Sequence, residues 1–337
     1  MRCSWKFSSL AALGLAFLAG SVSAGAASCT SQAELQPQDR DALAVAADRL
    51  STAIANQDYE TLKANLLPAV AGDWEGIRGA VEQTGSLLKG GKLQLKNAYL
   101  LDATSLTAPA DTQFFCSNQT GSLTVTITMR TLPPGRFAVV LAEAAGAPYA
   151  GQLGMILAKD GTGAGAAWKL GGVSVRPGMM EGHDGLWYWT QARQMAAADQ
   201  AKPEPWSAWF EYEMARLLLV PVDFLSSPNL EKLNQEQATI KNSPQDAFPY
   251  TLTDGPRVWK IDSVRLEPSA LHADLDVVYE STGVTDLAAQ KTEATAILTA
   301  LLKAQPGLRE NFHAIWAYTM KDGKPFLIGT MPMAQIP

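Results

Sequence analysis

The sequence predicts an α+β protein built as two folded halves around a helical connector. Three observations carry this reading. Apolar residues recur at helical spacing over residues 41–88 and then alternate with polar ones from residue 93 onward. An aromatic-rich helical stretch interrupts the strand pattern between residues 182 and 245. A final stretch reads as strand, strand, helix, strand, strand. Helices grouped apart from strands argue for α+β. The boundaries so read are a targeting segment at 1–28, an α+β domain at 29–181, the connector at 182–245 and a small α+β domain at 246–337.

Composition removes several function classes. The chain has 337 residues, 47% hydrophobic and 18% charged, which is too apolar for intrinsic disorder. One apolar run, at the N-terminus, is long enough to consider for a membrane, so a polytopic membrane protein is excluded. Lys and Arg number 27 against 33 Asp and Glu, for a net charge of −6. Nothing in that balance is the electrostatic footprint of a nucleic-acid binder. Three cysteines are too few for a disulfide-rich scaffold.

The N-terminus reads as an export signal. Arg2 and Lys6 precede an apolar core at residues 10–18, and small residues follow. Val22-Ser23-Ala24 fits a signal-peptidase site, and the core is short for a membrane span. Ala26-Ala27-Ser28-Cys29 resembles a degenerate lipobox, with Ala26 where Leu is usual. Periplasmic or secreted localisation is therefore expected, with a lipoprotein anchored through Cys29 as the alternative. Cleavage removes Cys3 and leaves Cys29 and Cys116. An even count in an oxidising compartment predicts a disulfide between them.

In the first domain, Leu43, Ala46, Ala47, Leu50 and Ile54 form an amphipathic stripe. Tyr59, Leu62, Leu66 and Leu67 restart the pattern, and Trp74, Ile77, Val81 and Leu88 form a third helix with Asp73 as its expected N-cap. The strands follow at 93–101, with an irregularity near Ala98, then at 112–116, 123–131, 137–141, 153–157 and 168–175. Pro133-Pro134-Gly135 is a turn. Residues 161–165, Gly-Thr-Gly-Ala-Gly, precede a strand and not a helix, so they read as a hairpin loop and not a phosphate loop.

The helix pair joined at Ala55-Asn56-Gln57-Asp58-Tyr59 resembles the opening of nuclear-transport-factor-like domains, the cystatin-like cone superfamily that includes SnoaL-like proteins. Trp168-Lys169-Leu170-Gly171-Gly172-Val173-Ser174-Val175 resembles their last strand. The resemblance covers roughly half of the chain and rests on loose patterns. It implies a curved antiparallel sheet wrapped on helices, with a ligand pocket or, in some members, isomerase or dehydratase chemistry. This domain has no His between residues 30 and 182, which excludes a His–Asp dyad or a His-ligated metal within it. Asp102 with Tyr99 is the remaining acid–base pair to consider. The plainer reading is that Asp102 ends a strand and Tyr99 packs.

The connector opens with a turn at residues 182–185 and a helix running from 186 to about 201. Lys202-Pro203-Glu204-Pro205 breaks it, a second helix follows to Pro221, and a third covers about 229–240. Trp187, Trp189, Trp206 and Trp209 are the candidate ligand-binding residues, as an aromatic wall for an apolar molecule or a protein partner. Helical spacing equally makes them an interdomain core. His183-Asp184 reads as part of the turn.

In the second domain, residues 257–266 and 271–279 are strands, joined across Pro268-Ser269. His272, Asp274, Asp276 and Glu280 alternate with apolar residues and predict a solvated acidic face. Thr285 or Asp286 caps a helix with Ile297, Leu298, Leu301 and Leu302 in its stripe. Strands at 312–320 and 326–331 flank the hairpin signal Asp322-Gly323. The expected layer is one helix on an antiparallel ββαββ sheet.

No catalytic set, metal site or cofactor motif emerges. The expected function is an exported noncatalytic protein that binds a small apolar ligand or a partner, with no nucleic acid and no transmembrane segment in the mature form. The alternatives are an exported lyase or isomerase using Asp102 and Tyr99, and a structural envelope protein.

Overall fold

The computed structural model describes residues 27–117, 124–147, 149–197, 204–268, 272–321 and 323–337. The stretch read as an export signal lies outside the described residues up to residue 26, as do Cys3, Lys202-Pro203, Ser269 and Asp322. The fold is α+β.

Strand β1 (Ser28–Ser31) leads into α1 (Pro37–Ala55), α2 (Tyr59–Ala64) and α3 (Trp74–Thr84). Asp58 caps α2 by accepting from the Thr61 amide at 3.1 Å. Asp73 stands at the N-cap of α3, but its side chain makes no cap bond, because a 3₁₀ turn over Pro68–Asp73 runs straight into the helix. The strands are β2 (Lys92–Asp102), β3 (Ala110–Ser117), β4 (Thr124–Leu132), β5 (Arg136–Ala145), β6 (Gln152–Asp160) and β7 (Ala167–Arg176). The 161–165 loop joins β6 to β7 as a hairpin connection.

These strands do not form one sheet. The main antiparallel sheet has the order β1-β2-β5-β6-β7. The β3–β4 hairpin leaves it and forms a second sheet with β10 (Leu225–Ser226), in the order β10-β4-β3. The reason lies in the period of two. Along β2, Ala98 and Leu100 point toward the helices, while Tyr99 and Leu101 point the other way. Along β5, Ala138, Val140 and Ala142 alternate in the same way with Phe137, Val139 and Leu141. Both faces are apolar, so both must be covered. The helices cover one, and the hairpin, through Phe114, Cys116, Val125 and Ile127, covers the other. The irregularity expected near Ala98 is a bulge between Leu95 and Asn97.

Cys29 of β1 and Cys116 of β3 form a disulfide, which ties the main sheet to the hairpin. The Cys29 sulfur is thereby part of the bridge. No helix among the described residues is long and apolar enough to cross a membrane.

After β7 come β8 (Met179–Met180) and β9 (His183–Asp184). The turn expected at 182–185 is displaced by two residues. Glu181 and Gly182 take positive φ of 51° and 81°, the pattern of a two-residue primed hairpin turn, and His183-Asp184 is its second strand. Helix α4 (Gly185–Ala196) ends sooner than expected. It is followed by α5 (Pro205–Leu219), α6 (Pro228–Ala238) and α7 (Pro244–Ala247). The connector grips the first sheet closely. A Cβ on Gly154 of β6 would lie 2.3 Å from Val222 Cγ1, so only glycine fits there. Gln152 donates to the Leu218 carbonyl at 2.6 Å.

The last sheet holds β11 (Tyr250–Asp254), β12 (Arg257–Pro268), β13 (Ala273–Tyr279), β14 (Ala314–Lys321) and β15 (Lys324–Pro332), in sequential order. Helices α8 (Leu287–Ala304) and α9 (Gly307–Asn311) lie between β13 and β14. Asp286 caps α8 by accepting from the Ala289 amide. The expected antiparallel layer is corrected on two points: β11 adds a fifth strand, and β13 pairs with β14 in parallel. A helical crossover returns the chain to the same end of the sheet, which makes that pair parallel. One apolar core joins Trp206, Phe210 and Leu218 of α5 to Leu275 and Val277 of β13 and Ile297 and Leu301 of α8.

Candidate functional site

The four candidate tryptophans diverge. Trp206 is 3% exposed and meets Phe248 and Tyr250 edge-on at 5.5 and 5.2 Å. Trp209 packs half-buried on the same core. Trp189 is buried, and its indole donates to Glu236 at 2.7 Å while the Arg193 guanidinium stacks 4.2 Å above its ring. Arg193 also holds Glu236 through two bonds of 2.7 and 2.9 Å, and this pairing keeps the Glu236 carboxyl below its ordinary range. Trp187 alone presents a substantial surface, at 38%, and its ring stacks on His183 at 3.7 Å. These four side chains do not form one wall. His183 and Asp184 have separate tasks, since Asp184 caps α4 through the Trp187 amide at 2.9 Å.

Tyr99 and Asp102 are not brought together. Three residues apart on one strand, they project from opposite faces of the sheet. Tyr99 is buried under the hairpin. Asp102 accepts from the Thr104 hydroxyl and amide at 2.6 and 3.0 Å. Burial pushes its carboxyl up, but those bonds and the Arg136 charge outweigh it, so the group titrates below its usual range.

The acidic face expected on β13 is only partly solvated. Asp274 is 5% exposed, accepts from Trp316 Nε1 at 2.9 Å and lies 3.2 Å from His313 Nδ1. The register puts Trp316 opposite Asp276, so the indole and the two carboxylates share one face. Asp276 Oδ1 is buried without a partner, and burial, with help from Glu267 and Asp274, raises its pKa to about 6. Glu280 alone is exposed, and it pairs with Lys260. The His272 ring stacks on His313 at 3.9 Å, and Glu181 reaches His272 at 3.6 Å and the Ala273 amide at 3.2 Å. Deeper in, Glu211 of α5 is 2% exposed with Oε2 unpartnered, and burial lifts its pKa to about 8, aided by the Glu181 charge. Alternation along β13 showed that its faces differ in polarity. It carried no signal for the aromatic rings that cover the polar one.

The first domain holds an apolar groove between α1 and the main sheet. Leu43, Ala44 and Ala47 of α1 face Leu95, Ala98 and Val140, enclosing about 210 Å³. A second hollow of about 130 Å³ shares Ala44, Ala47, Leu95 and Val140 and continues the groove toward Ser51 and Met155. The groove exists because α1 presents alanines where it crosses the sheet. Small side chains on the helix leave space that larger ones would fill. Ala44 and Leu95 stand exposed at its lips. No buried side-chain atom lacking a hydrogen-bond partner belongs to a lining residue.

A wider hollow of about 510 Å³, walled in part by Tyr99 and Val125 of the hairpin-side core, shares Gln32 and Arg40 with this groove. Its polar lining is Ser31, Gln32, Arg40, Lys96, Asn97 and Ser117, and the disulfide residue Cys116 forms part of its wall. Among the described residues, no group of three His, Cys, Asp or Glu side chains is placed to hold a metal ion. No protein-family model, curated protein or solved structure matches the chain.

Proposed function

We propose that this chain is an exported, noncatalytic binding protein, periplasmic or secreted, that takes a small apolar molecule into the groove beneath α1. The observation that carries the reading is the groove itself: walls mainly of Leu, Ala and Val, with the exposed Arg40, Asp41 and Asp48 at its rim and no buried polar atom awaiting a partner. Such a lining favours hydrocarbon over a polar ligand. The Cys29–Cys116 disulfide supports an oxidising destination. The resemblance to cone-like domains points the same way, since it implies a ligand pocket. The lyase or isomerase alternative loses its support, because Tyr99 and Asp102 face opposite sides of the sheet.

The test is uptake of the neutral fluorescent probe N-phenyl-1-naphthylamine. Saturable enhancement is expected with the wild-type protein. Ala44→Phe, which fills the groove from its exposed lip without disturbing the core, should abolish it while leaving circular dichroism unchanged. Equal uptake by both proteins would remove the groove as the site.

A further inference from the structure

Resting on that reading, we infer that the ligand is an amphipathic anion with one aliphatic chain. Its tail lies in the groove beneath α1, and its charged head lies in the adjoining hollow beside Arg40 and Lys96.

Three features of the first domain support this assignment. The first is continuity. The groove and the hollow share Gln32 and Arg40, so the two meet at these side chains, the groove on the helix face of the sheet and the hollow toward the hairpin face. The α1 residues along the groove run from Arg40 to Ser51, about 16 Å at 1.5 Å rise per residue. That length suits an extended medium chain.

The second is charge. The whole chain is acidic, at net −6, yet the hollow is lined by two cations and no carboxylate. Arg40 and Lys96 reach outward to Asp41 at 3.3 Å and Glu143 at 3.1 Å. Arg40, Asp41 and Lys96 are more than half exposed in these pairs. Exposed pairs of this kind contribute about 0–1 kcal/mol, so an anionic head displaces them readily. Ser31 is bonded to Glu34 at 3.2 Å, which leaves Gln32, Asn97 and Ser117 as the neutral donors toward the head.

The third is the strand edge. β1 pairs only with Tyr99–Asp102 of β2, so the stretch of β2 carrying Leu95, Lys96 and Asn97 has no strand on that side among the described residues. The bulge between Leu95 and Asn97 interrupts the pleat at this point. An added residue in a bulge re-aims the side chains around it. Here Leu95 lines the apolar groove, while Lys96 and Asn97 line the polar hollow. The bulge thus marks the change from tail site to head site.

Competition against the neutral probe tests the assignment, with decanoate and decanol as competitors of equal chain length. Decanoate should displace the probe at about tenfold lower concentration than decanol, the scale expected of one or two exposed charge contacts. A Lys96→Gln variant, at a residue that lines the hollow and not the groove, should lose a large part of that advantage and keep decanol and probe binding unchanged. Raising salt from low to high concentration should weaken decanoate alone, since exposed charges are screened. Equal competition by decanoate and decanol, or a Lys96→Gln variant that binds decanoate like the wild type, overturns the head site while leaving the groove reading intact. Failure of probe and decanol alike to bind overturns the groove reading itself and the head site with it.

Discussion

Replacing Glu211 by Gln should remove a pH-dependent weakness from the second core. Glu211 sits in α5 at 2% exposure with Oε2 unpartnered. Burial, with a smaller push from Glu181, raises its pKa from the ordinary 4.5 to about 8. Below pH 4.5 the carboxyl is neutral in both folded and unfolded chains and contributes no pH dependence. Between 4.5 and 8 the unfolded chain ionises while the folded one does not, so unfolding releases a proton and stability falls as pH rises. The slope is about 1.4 kcal/mol per pH unit. The interval of about 3.5 pH units makes the whole loss about 5 kcal/mol. Glutamine keeps the shape and cannot ionise. Urea denaturation of both proteins between pH 5 and 8.5 should show near-equal stability at the acidic end. The variant's advantage should then grow by about 1.4 kcal/mol per unit. Contributions from other titrating groups cancel in the difference. Two parallel stability curves would refute the claim that Glu211 is held neutral by the core.

Other outcomes follow from the same structure. Reducing the Cys29–Cys116 disulfide, or replacing both cysteines by Ser, should destabilise the first domain by about 4–5 kcal/mol, because the bridge closes a loop of 87 residues; unchanged denaturation midpoints would contradict this. Asp274→Ala strips the partner from the half-buried Trp316 indole and should lower stability by about 1–3 kcal/mol, with Asn losing less; equal stability of Ala, Asn and wild type would count against that bond. Trp206→Ala should lower stability by about 3–5 kcal/mol, whereas Trp187→Ala should change it far less, since Trp206 is 3% and Trp187 38% exposed. Equal losses in thermal unfolding would show that the two occupy similar environments.

Much of the fold was legible because local periodicity reports which face a segment buries. Leu43, Ala46, Ala47, Leu50 and Ile54 read as a helix stripe and are buried beneath the sheet. The cysteine pairing followed from a count and an expected compartment, and it is present. What escaped depends on who covers a face. The alternation in β4 says that Val125 and Ile127 are buried, but not that their hairpin leaves the main sheet to cap its far side. The alternation in β13 says that Asp274 and Asp276 share a face, but not that Trp316 and His313 close over it. The aromatic cluster drew attention by density along the chain, and three of its four tryptophans pack on the second core. The groove gave no signal at all, since Ala47 reads as one more member of the buried helix stripe and nothing along the chain marks the gap beside it. Its existence depends on where α1 crosses β2 and β5, a tertiary fact.

The most direct test of the binding account is the native intact mass of the mature protein purified from its own host. The account predicts additional noncovalent mass, lost on denaturation, that corresponds to a small anionic molecule with one aliphatic chain. A native spectrum showing only the bare polypeptide would contradict it.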